Sequence, residues 1–507
     1  QELSDRFTEF YPNVENIQDI VEKHLIRSDM FTVARRYIIY RAERSREREK
    51  LKENISKKAE LGKLKITKSD GKTVLFNPQK IRETISRVCS KYPDTTSVDS
   101  IAKELNRNIF DGASTSDLER ALLLASTAFI ERDPDYSKVS AGFFMQRLYK
   151  EGMGVSVNEN TLEDEYRKTF ISGIALGVEN KYLDEKLLDF DLEKLSLAID
   201  IERDSLFEFL GIQTLYERYL QKHEEKRFEL PQAFWMRVAM GLAFNENNKE
   251  ARAIEFYNVL SKMQFVSSTP TLFHSGTPHP QLSSCYLTTV SDDLSHIFKC
   301  IGDNAQLSKW SGGLGNDWSN IRGTGSHIKS TNVESQGVVP FLKIANDVTV
   351  AINRSGKRRG ATCAYLETWH LDIEDFLDLR RNTGDDRRRT HDMNTANWIP
   401  DLFMKRVIEE KEWTLFSPEE TPDLHELHGS KFEEAYVRYE SQVDLGKIKK
   451  FKKIHAPELW KKMLTRIFET GHPWITFKDA CNVRSPQDHV GTVHSSNLCT
   501  EITLNTS

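Results

Sequence analysis

The chain has 507 residues, of which 38% are hydrophobic and 29% charged, and its formal net charge is −5. That length allows two to four domains with sizeable cores. The negative balance excludes bulk electrostatic binding to nucleic acid. No apolar run approaches the ~18 residues of a membrane span, and the opening QELSDRFTEF lacks both the basic and the apolar part of a secretory signal.

In chain order, residues 1–60 show apolar positions at helical spacing followed by a charged tail. Part of this stretch recurs: Val33, Ala34, Tyr37, Ile38, Ile39 and Arg41 match Val139, Ser140, Phe143, Phe144, Met145 and Arg147. Each copy follows a helix-rich stretch, which points to a duplicated module. Residues 41–63 read as a solvated helix and linker. KITKSDGKTVLFNPQKI, from 65, places Asp70-Gly71 between two short β-prone runs, a hairpin signal. Helices are predicted over 78–90, 98–108, 115–130 (opened by a Thr115–Ser116–Asp117 cap) and 136–150. Residues 160–265 read as a further run of helices, including LPQAFWMRVAMGLAF and ARAIEFYNVLSKM.

From 266 the texture changes. FVSSTPTLFHSG, SSCYLTTV, GATCAYLETW, WTLFS and WITFKDA are short β-rich runs, alternating with helical ones at 340–352 and 369–380. This is the pattern of an α/β domain. Near the end, HSSNLCTEI alternates with period two, so 496–504 reads as a strand with Asn497, Cys499 and Glu501 on one face and Leu498, Thr500 and Ile502 on the packed face. Its bland alternative is an edge strand with a wet polar face. An α/β layer is not expected to end on such a strand, so a large C-terminal portion, and part of the first helical module, are expected to lie outside these 507 residues.

The six cysteines, at 89, 285, 300, 363, 481 and 499, form no CxxC pair, which argues against a disulfide framework or a zinc site. Cys89, Cys300, Cys363 and Cys481 read as small buried hydrophobes. Cys285 sits in its own short alternating run, QLSSCYLTTV; spacing alone does not pair it with Cys499.

SSTPTLFHSGT, QLSSCYL and SSNLCTEI, with the glycine-rich 311–325 stretch, INRSGKRRGATCAYLETWHLDIEDFL and HPWITFKDACN, resemble the large catalytic subunit of class I ribonucleotide reductases. The resemblance is colinear over 64–507. It implies a ten-stranded α/β barrel, its first part present here, behind mainly helical ATP-cone regulatory domains. The expected domains are 1–55 (end of a first cone), 64–152 (second cone), 153–265 (helical part of the catalytic subunit) and 266–507 (first half of the barrel).

The resemblance also implies roles. Cys499 matches the cysteine that becomes a thiyl radical and takes the 3′ hydrogen of the ribose. Glu501 matches the base for the 3′-OH proton, and Asn497 the amide that holds the ribose hydroxyls. On a strand, thiol and base at i, i+2 stand about 6.6 Å apart. Cys285 matches half of a reducing cysteine pair; its partner, two radical-passing tyrosines and mobile C-terminal thiols would follow Ser507. Thr271 and Ser284 match substrate-binding positions. Asp292, Ser308, Arg322 and Arg358 match a specificity site that reads a deoxynucleotide or ATP. Lys68, Asn77, Lys80, Thr115 and Lys150 match ATP-contacting cone positions. Ser69 and Val74 depart from that pattern, where a basic residue and a carboxylate are expected, so this inner cone is predicted to bind ATP or dATP weakly while the outer cone senses.

The implied effectors are ATP, dATP and other deoxynucleotides. No metal is expected in this chain; the radical cofactor belongs to a small partner subunit. A homodimer, higher oligomers with dATP, reduction by thioredoxin or glutaredoxin, and a cytoplasmic location are the further expectations. Rival readings are a coenzyme-B12-dependent or glycyl-radical relative, a non-catalytic nucleotide-binding regulatory module, and a carboxylate-bridged metal protein. The last would use Glu367 and His370, for which a role at a helix start is the plainer reading; such a site wants paired ExxH motifs with further carboxylates on facing helices.

Overall fold

The computed structural model describes residues 14–68, 71–154, 161–328, 332–354 and 358–506. They fall into two compact units. One takes in residues up to 177 with 191–236 and 261–263; the other takes in 178–190, 237–260 and the chain from 264.

In the first unit, helices Val14–Arg27 and Phe31–Glu60 pair through Arg41, whose guanidinium meets Asp19 at 2.7 Å and Glu22 at 2.9 Å. Strand Lys65–Thr67 pairs antiparallel with Thr73–Leu75, the expected hairpin, and parallel with Ala113–Ser114. Asp70 of its turn lies outside the described residues. Helices Pro78–Cys89, Val98–Asn108, Thr115–Thr127 and Asp135–Met153 stand where the periodicity puts them. The cap at 115 differs from expectation. Ser114 is the N-cap, and it exchanges hydrogen bonds with Asp117 in a capping box; its extended backbone frees its hydroxyl for the Asp117 N–H. The two copies of the repeat part company in burial: Val139, Phe143, Phe144 and Met145 are buried, whereas Val33, Ile38 and Ile39 are 48%, 39% and 47% exposed.

The second unit is built on a five-stranded parallel sheet: β1 (Cys285–Thr289), β2 (Gly313–Asp317), β3 (Ala361–Glu367), β4 (Asn394–Ile399) and β5 (Trp474–Phe477), adjacent in chain order. Parallel neighbours need crossovers, and helices supply them. Leu294–Lys309 links β1 to β2, and Val339–Ala351 lies between β2 and β3. One face of the sheet packs on these helices through Trp318, Leu342, Leu366, Phe376 and Ile399. The other carries Cys363, Tyr365, Ala396 and Trp398, covered by Val493 and Leu498. The inner strands β2, β3 and β4 are buried on both faces almost throughout.

Three expectations are corrected. FVSSTPTLFHSG holds no strand; Thr269–His274 is a short helix, with Pro270 in its first turn where a missing N–H costs nothing. The helix expected at 369–380 is confined to Ile373–Leu377, because His370 bridges to Phe416 and its Nδ1 takes the Asp372 N–H. Residues 496–504 are not a strand, as described next.

Candidate active site

β2 reads Gly313-Leu-Gly-Asn-Asp317, and its inward positions 313, 315 and 317 carry two glycines and an acid. The segment 493–498 lies along this inner face, antiparallel to β2 and stepping with it. A Cβ built on Gly315 would stand 1.8 Å from the Ser496 carbonyl oxygen, and one on Gly313 would stand 3.1 Å from Leu498 Cδ2. Glycine is required at 315 because backbone occupies the volume of its side chain.

Past Leu498 the chain turns. Asn497 N donates to Ile502 O at 3.1 Å, Ile502 N donates to Asn497 Oδ1 at 3.0 Å, and Ser496 Oγ donates to Ile502 O at 2.6 Å. Thr500 takes a left-handed φ of 71° inside the turn. The period-two pattern therefore marks a loop closed by an amide. An Asn side chain competes with ladder hydrogen bonds by bonding backbone itself. The three polar residues do not share one face: Asn497 is fully buried, while Cys499 and Glu501 are exposed, and Ile502 is 37% exposed rather than packed.

The turn nevertheless gathers the expected groups. Asn497 Nδ2 donates to Cys285 Sγ at 3.1 Å, and the Cys285 thiol reaches Glu501 Oε1 at 3.8 Å. Ser284 Oγ lies 3.1 Å from the same sulfur. Cys499, two residues on from Asn497, is close enough to Cys363 for its charge to add to the burial that pushes the Cys363 thiol well up. No cysteine is in a disulfide. Thr271 is buried and donates to Leu282 O at 2.8 Å, which ties its helix to the entry of β1.

Residues that the sequence did not single out hold this loop. Tyr365 donates to Asn497 O at 2.7 Å from inside the sheet, and burial pushes its pKa up. Beyond the glycines, Asp317 Oδ2 meets His425 Nε2 at 2.6 Å. The His425 and His494 rings stack at 3.8 Å and 13°. Glu426 spans both, 3.1 Å from His425 Nδ1 and 3.3 Å from His494 Nε2. Burial opposes charge on His425, but Asp317 and Glu426 overcome it and raise its pKa to about 9. The two histidines hold Glu426 well below the usual carboxylate range. Alongside, Glu367 Oε1 pairs with Lys478 Nζ at 2.7 Å, both fully buried.

His425, Glu426 and His494 bring three ligand atoms within 4.8 Å of one another. Near-parallel rings 3.8 Å apart cannot both aim in-plane lone pairs at one ion about 2.1 Å from each nitrogen, so this is a charged stack rather than a metal set. Glu367 and His370 form no ligand pair either: Glu367 serves Lys478 and Trp369, and His370 Nε2 donates to Ile321 O. Nor does either residue open a helix.

Of the effector positions, Asp292 and Arg322 meet at 2.7 Å. Ser308 is buried near the far end of helix Leu294–Lys309, in a small pocket with Ile301, Asn304, Ala345, Val348 and Thr349. Arg358 lies on a two-residue strand that pairs with Asn353–Arg354; its side chain is outside the described residues. In the cone, Asn77 caps helix Pro78–Cys89 through the Lys80 N–H, and Lys68 and Lys80 are exposed. Thr115 opens its helix behind the Ser114 cap. Lys150 pairs with Glu119 at 2.8 Å. Ser69 lies outside the described residues, and Val74 packs on the Leu64–Ile66–Phe76 cluster.

Family models match most of the chain. Residues 283–507 match the ribonucleotide reductase barrel domain, 205–280 the ribonucleotide reductase all-alpha domain, and 1–46 and 64–151 the ATP cone domain. The chain belongs to the ribonucleotide reductase large-subunit family. It is 50% identical over 498 residues to the ribonucleoside-diphosphate reductase subunit alpha of Chlamydia pneumoniae, covering 98% of this chain and 48% of that protein. The subunit alpha of Helicobacter pylori strain J99 is 44% identical over 400 residues, 78% of this chain and 49% of its own. The large subunit of Arabidopsis thaliana is 37% identical over 409 residues, 80% and 49%. The chain thus spans about half the length of these relatives. Two cones and a family barrel domain bear out the duplicated module and the α/β reading. Among the described residues no helix is long and apolar enough to cross a membrane.

Proposed function

We propose that this chain carries the nucleotide-reducing half-site of a ribonucleoside-diphosphate reductase large subunit. The observation that carries the reading is the convergence on Cys285 of Asn497 and Glu501, from the two sides of a turn that bears Cys499.

In this reading Cys499, as a thiyl, takes the 3′ hydrogen atom of a ribonucleoside diphosphate; an S–H bond is weak enough for the exchange to be nearly balanced. Glu501 accepts the 3′-OH proton while the 2′ oxygen leaves as water. Asn497 orients the hydroxyls. Cys285 and a second thiol from the remainder of the protein supply two electrons and become a disulfide, and the 3′ hydrogen then returns from Cys499. Holding thiol, base and amide around one sugar is the main catalytic contribution of the chain. The radical originates in a small partner subunit, and thioredoxin or glutaredoxin restores the thiols. The setting is the cytoplasm.

Asp292 with Arg322, and Ser308 with the Arg358 hairpin, form the effector-reading elements. Ser308 is the fifteenth residue of its helix, so it lies roughly 20 Å along the axis from Asp292. One nucleotide touches both only if a second copy lends one of them, which supports a homodimer. The outer cone binds ATP or dATP and the inner cone binds them weakly; assembly beyond the dimer follows from dATP at the outer cone.

The test is nucleoside diphosphate reduction by full-length protein with its radical-bearing partner. Cys499→Ser is expected to abolish turnover and leave effector binding unchanged. Turnover by the Ser variant defeats the reading, and full activity without any small subunit favours a coenzyme-B12-dependent relative instead.

A further inference from the structure

We propose that His494 is a positioning residue: its clamp between His425 and Glu426 fixes how far the segment 493–499 reaches along the inside of β2. The proposal deepens the reading of Cys499 as the reacting thiol and rests on it.

The argument begins with what the glycines leave undone. Against β2 the segment runs in steps of two, with Leu498 on Gly313 and Ser496 on Gly315. Continuing the register brings His494 to the level of Asp317, and His494 indeed stacks on His425, the partner of Asp317. A glycine track offers a close approach but no side chain to interlock with the chain above it. Something beyond the track must stop the segment from sliding. The turn at 497–502 closes on itself through Asn497, Ser496 and Ile502, so it fixes the shape of the tip rather than its depth.

The stop lies at the Asp317 level. His425 is held from both sides, Nε2 on Asp317 and Nδ1 on Glu426. Its flat face carries the His494 ring, and Glu426 reaches around to His494 Nε2. The Glu426 carbonyl also accepts from Thr492 Oγ1 at 2.7 Å, so one residue grips the segment at two places. The charged groups facing His425 are Asp317 from β2, Glu367 from β3, Glu426 beside it and His494 across the stack, with Lys478 neutralising Glu367 and donating to the His425 carbonyl. A protonated His425 between two carboxylates, with its neighbours balanced, is a rigid, charge-assisted support. His425 and His494 are each 2% exposed, which shields the ring stack and the Asp317–His425 pair from screening, while the Glu426 side chain faces solvent.

His494 touches no reacting atom. Its effect reaches Cys499 five residues on, through a backbone pressed against Gly315. A displacement of about 1 Å at a reacting group can cost on the order of 100-fold in rate.

The experiment uses full-length protein with its radical partner. His494→Ala is expected to lower kcat about 10- to 100-fold with KM for the nucleoside diphosphate within twofold, while His494→Gln, which keeps a donor for Glu426, recovers most of the loss. Glu426→Gln, at a partly exposed side chain, is the second variant and is expected to lower kcat in the same way should His494→Ala fail to fold. Pairing His425→Gln with His494→Gln is expected to add nothing beyond the larger single effect, since the residues act as a unit. A kcat within twofold of wild type in His494→Ala, or a raised KM at unchanged kcat, overturns the proposal. Iodoacetamide labelling of Cys499, read by mass spectrometry, separates this from the functional reading. An unchanged rate in both His494→Ala and Glu426→Gln sinks the clamp, whereas a wild-type protein inactive on nucleoside diphosphates sinks the function and leaves the labelling result standing.

Discussion

Gly315 and Ser496 are in backbone contact: the position of a Cβ on Gly315 lies 1.8 Å from the Ser496 carbonyl oxygen and 2.8 Å from the Asn497 Cα. The loop bearing Cys499 can enter the sheet only because that Cβ is missing. Gly315→Ala is therefore expected to displace the loop and reduce nucleoside diphosphate reduction at least about 100-fold. Gly313→Ala meets the Leu498 side chain at 3.1 Å and 3.3 Å, with the nearest backbone atom, Ser284 O, at an ordinary contact distance of 3.5 Å, and should stay within about fivefold. Steady-state assays of the two variants side by side check this, and equal activities would show that the loop is not seated on β2.

Lys478 and Glu367 are a fully buried pair, and Lys478 Nζ also donates to the carbonyls of Leu424 and His425. Burial already pushes the Glu367 carboxyl upward against the pull of Lys478. Lys478→Met leaves that acid unpaired and should cost about 3–5 kcal/mol of stability, because an uncompensated buried charge is worse than no pair. Glu367→Gln combined with Lys478→Met should regain much of the loss. Urea denaturation of the two variants beside wild type measures it.

Asp204 lies buried in the helical unit, with Tyr149 at 2.6 Å, Gln232 at 2.7 Å and Tyr166 at 3.4 Å. Burial raises its pKa to about 6 despite those donors. A folded pKa above the unfolded one means that the folded state binds the proton more tightly. The stability this contributes is complete below pH about 4 and is lost as pH rises through about 6. The difference of about 2 units amounts to roughly 3 kcal/mol. Asp204→Asn should flatten the pH dependence of unfolding between pH 4 and 7, as read by urea titration at several pH values.

Lys150 is already paired with Glu119, and Val74 is packed in the cone's apolar cluster. Val74 offers a nucleotide no polar group, and Lys150 has to leave Glu119 to reach one. Lys150→Ala in full-length protein is accordingly expected to leave dATP affinity within about twofold, as measured by calorimetry. A tenfold loss would show that the inner cone binds the effector after all.

Much of the molecule was legible without coordinates. The cone helices begin and end near their capping signals, and Asp70-Gly71 marks its hairpin, because caps and turns are decided by residues a few positions apart. Cys285, Asn497 and Glu501 were legible as a set only through the family motif; nothing in their spacing, 212 residues from Cys285 to Asn497, pairs them. The alternation at 496–504 was misread because an amide that bonds backbone across five residues leaves the same period-two pattern as a strand. The repeat was visible in residue types, yet its first copy exposes the face that the second buries.

The sequence by itself determined most of the helices, the Asp70-Gly71 hairpin, most of the β-rich runs and the chemistry available at each position, since these follow from neighbours along the chain. Only the tertiary structure decided that two glycines open a track for the Cys499 loop, that Asp317 and His425 stand at its end, and that His494 stacks there. Those relations join residues 69 to 185 positions apart, and close packing against a strand several segments away is set by the fold rather than by any local pattern.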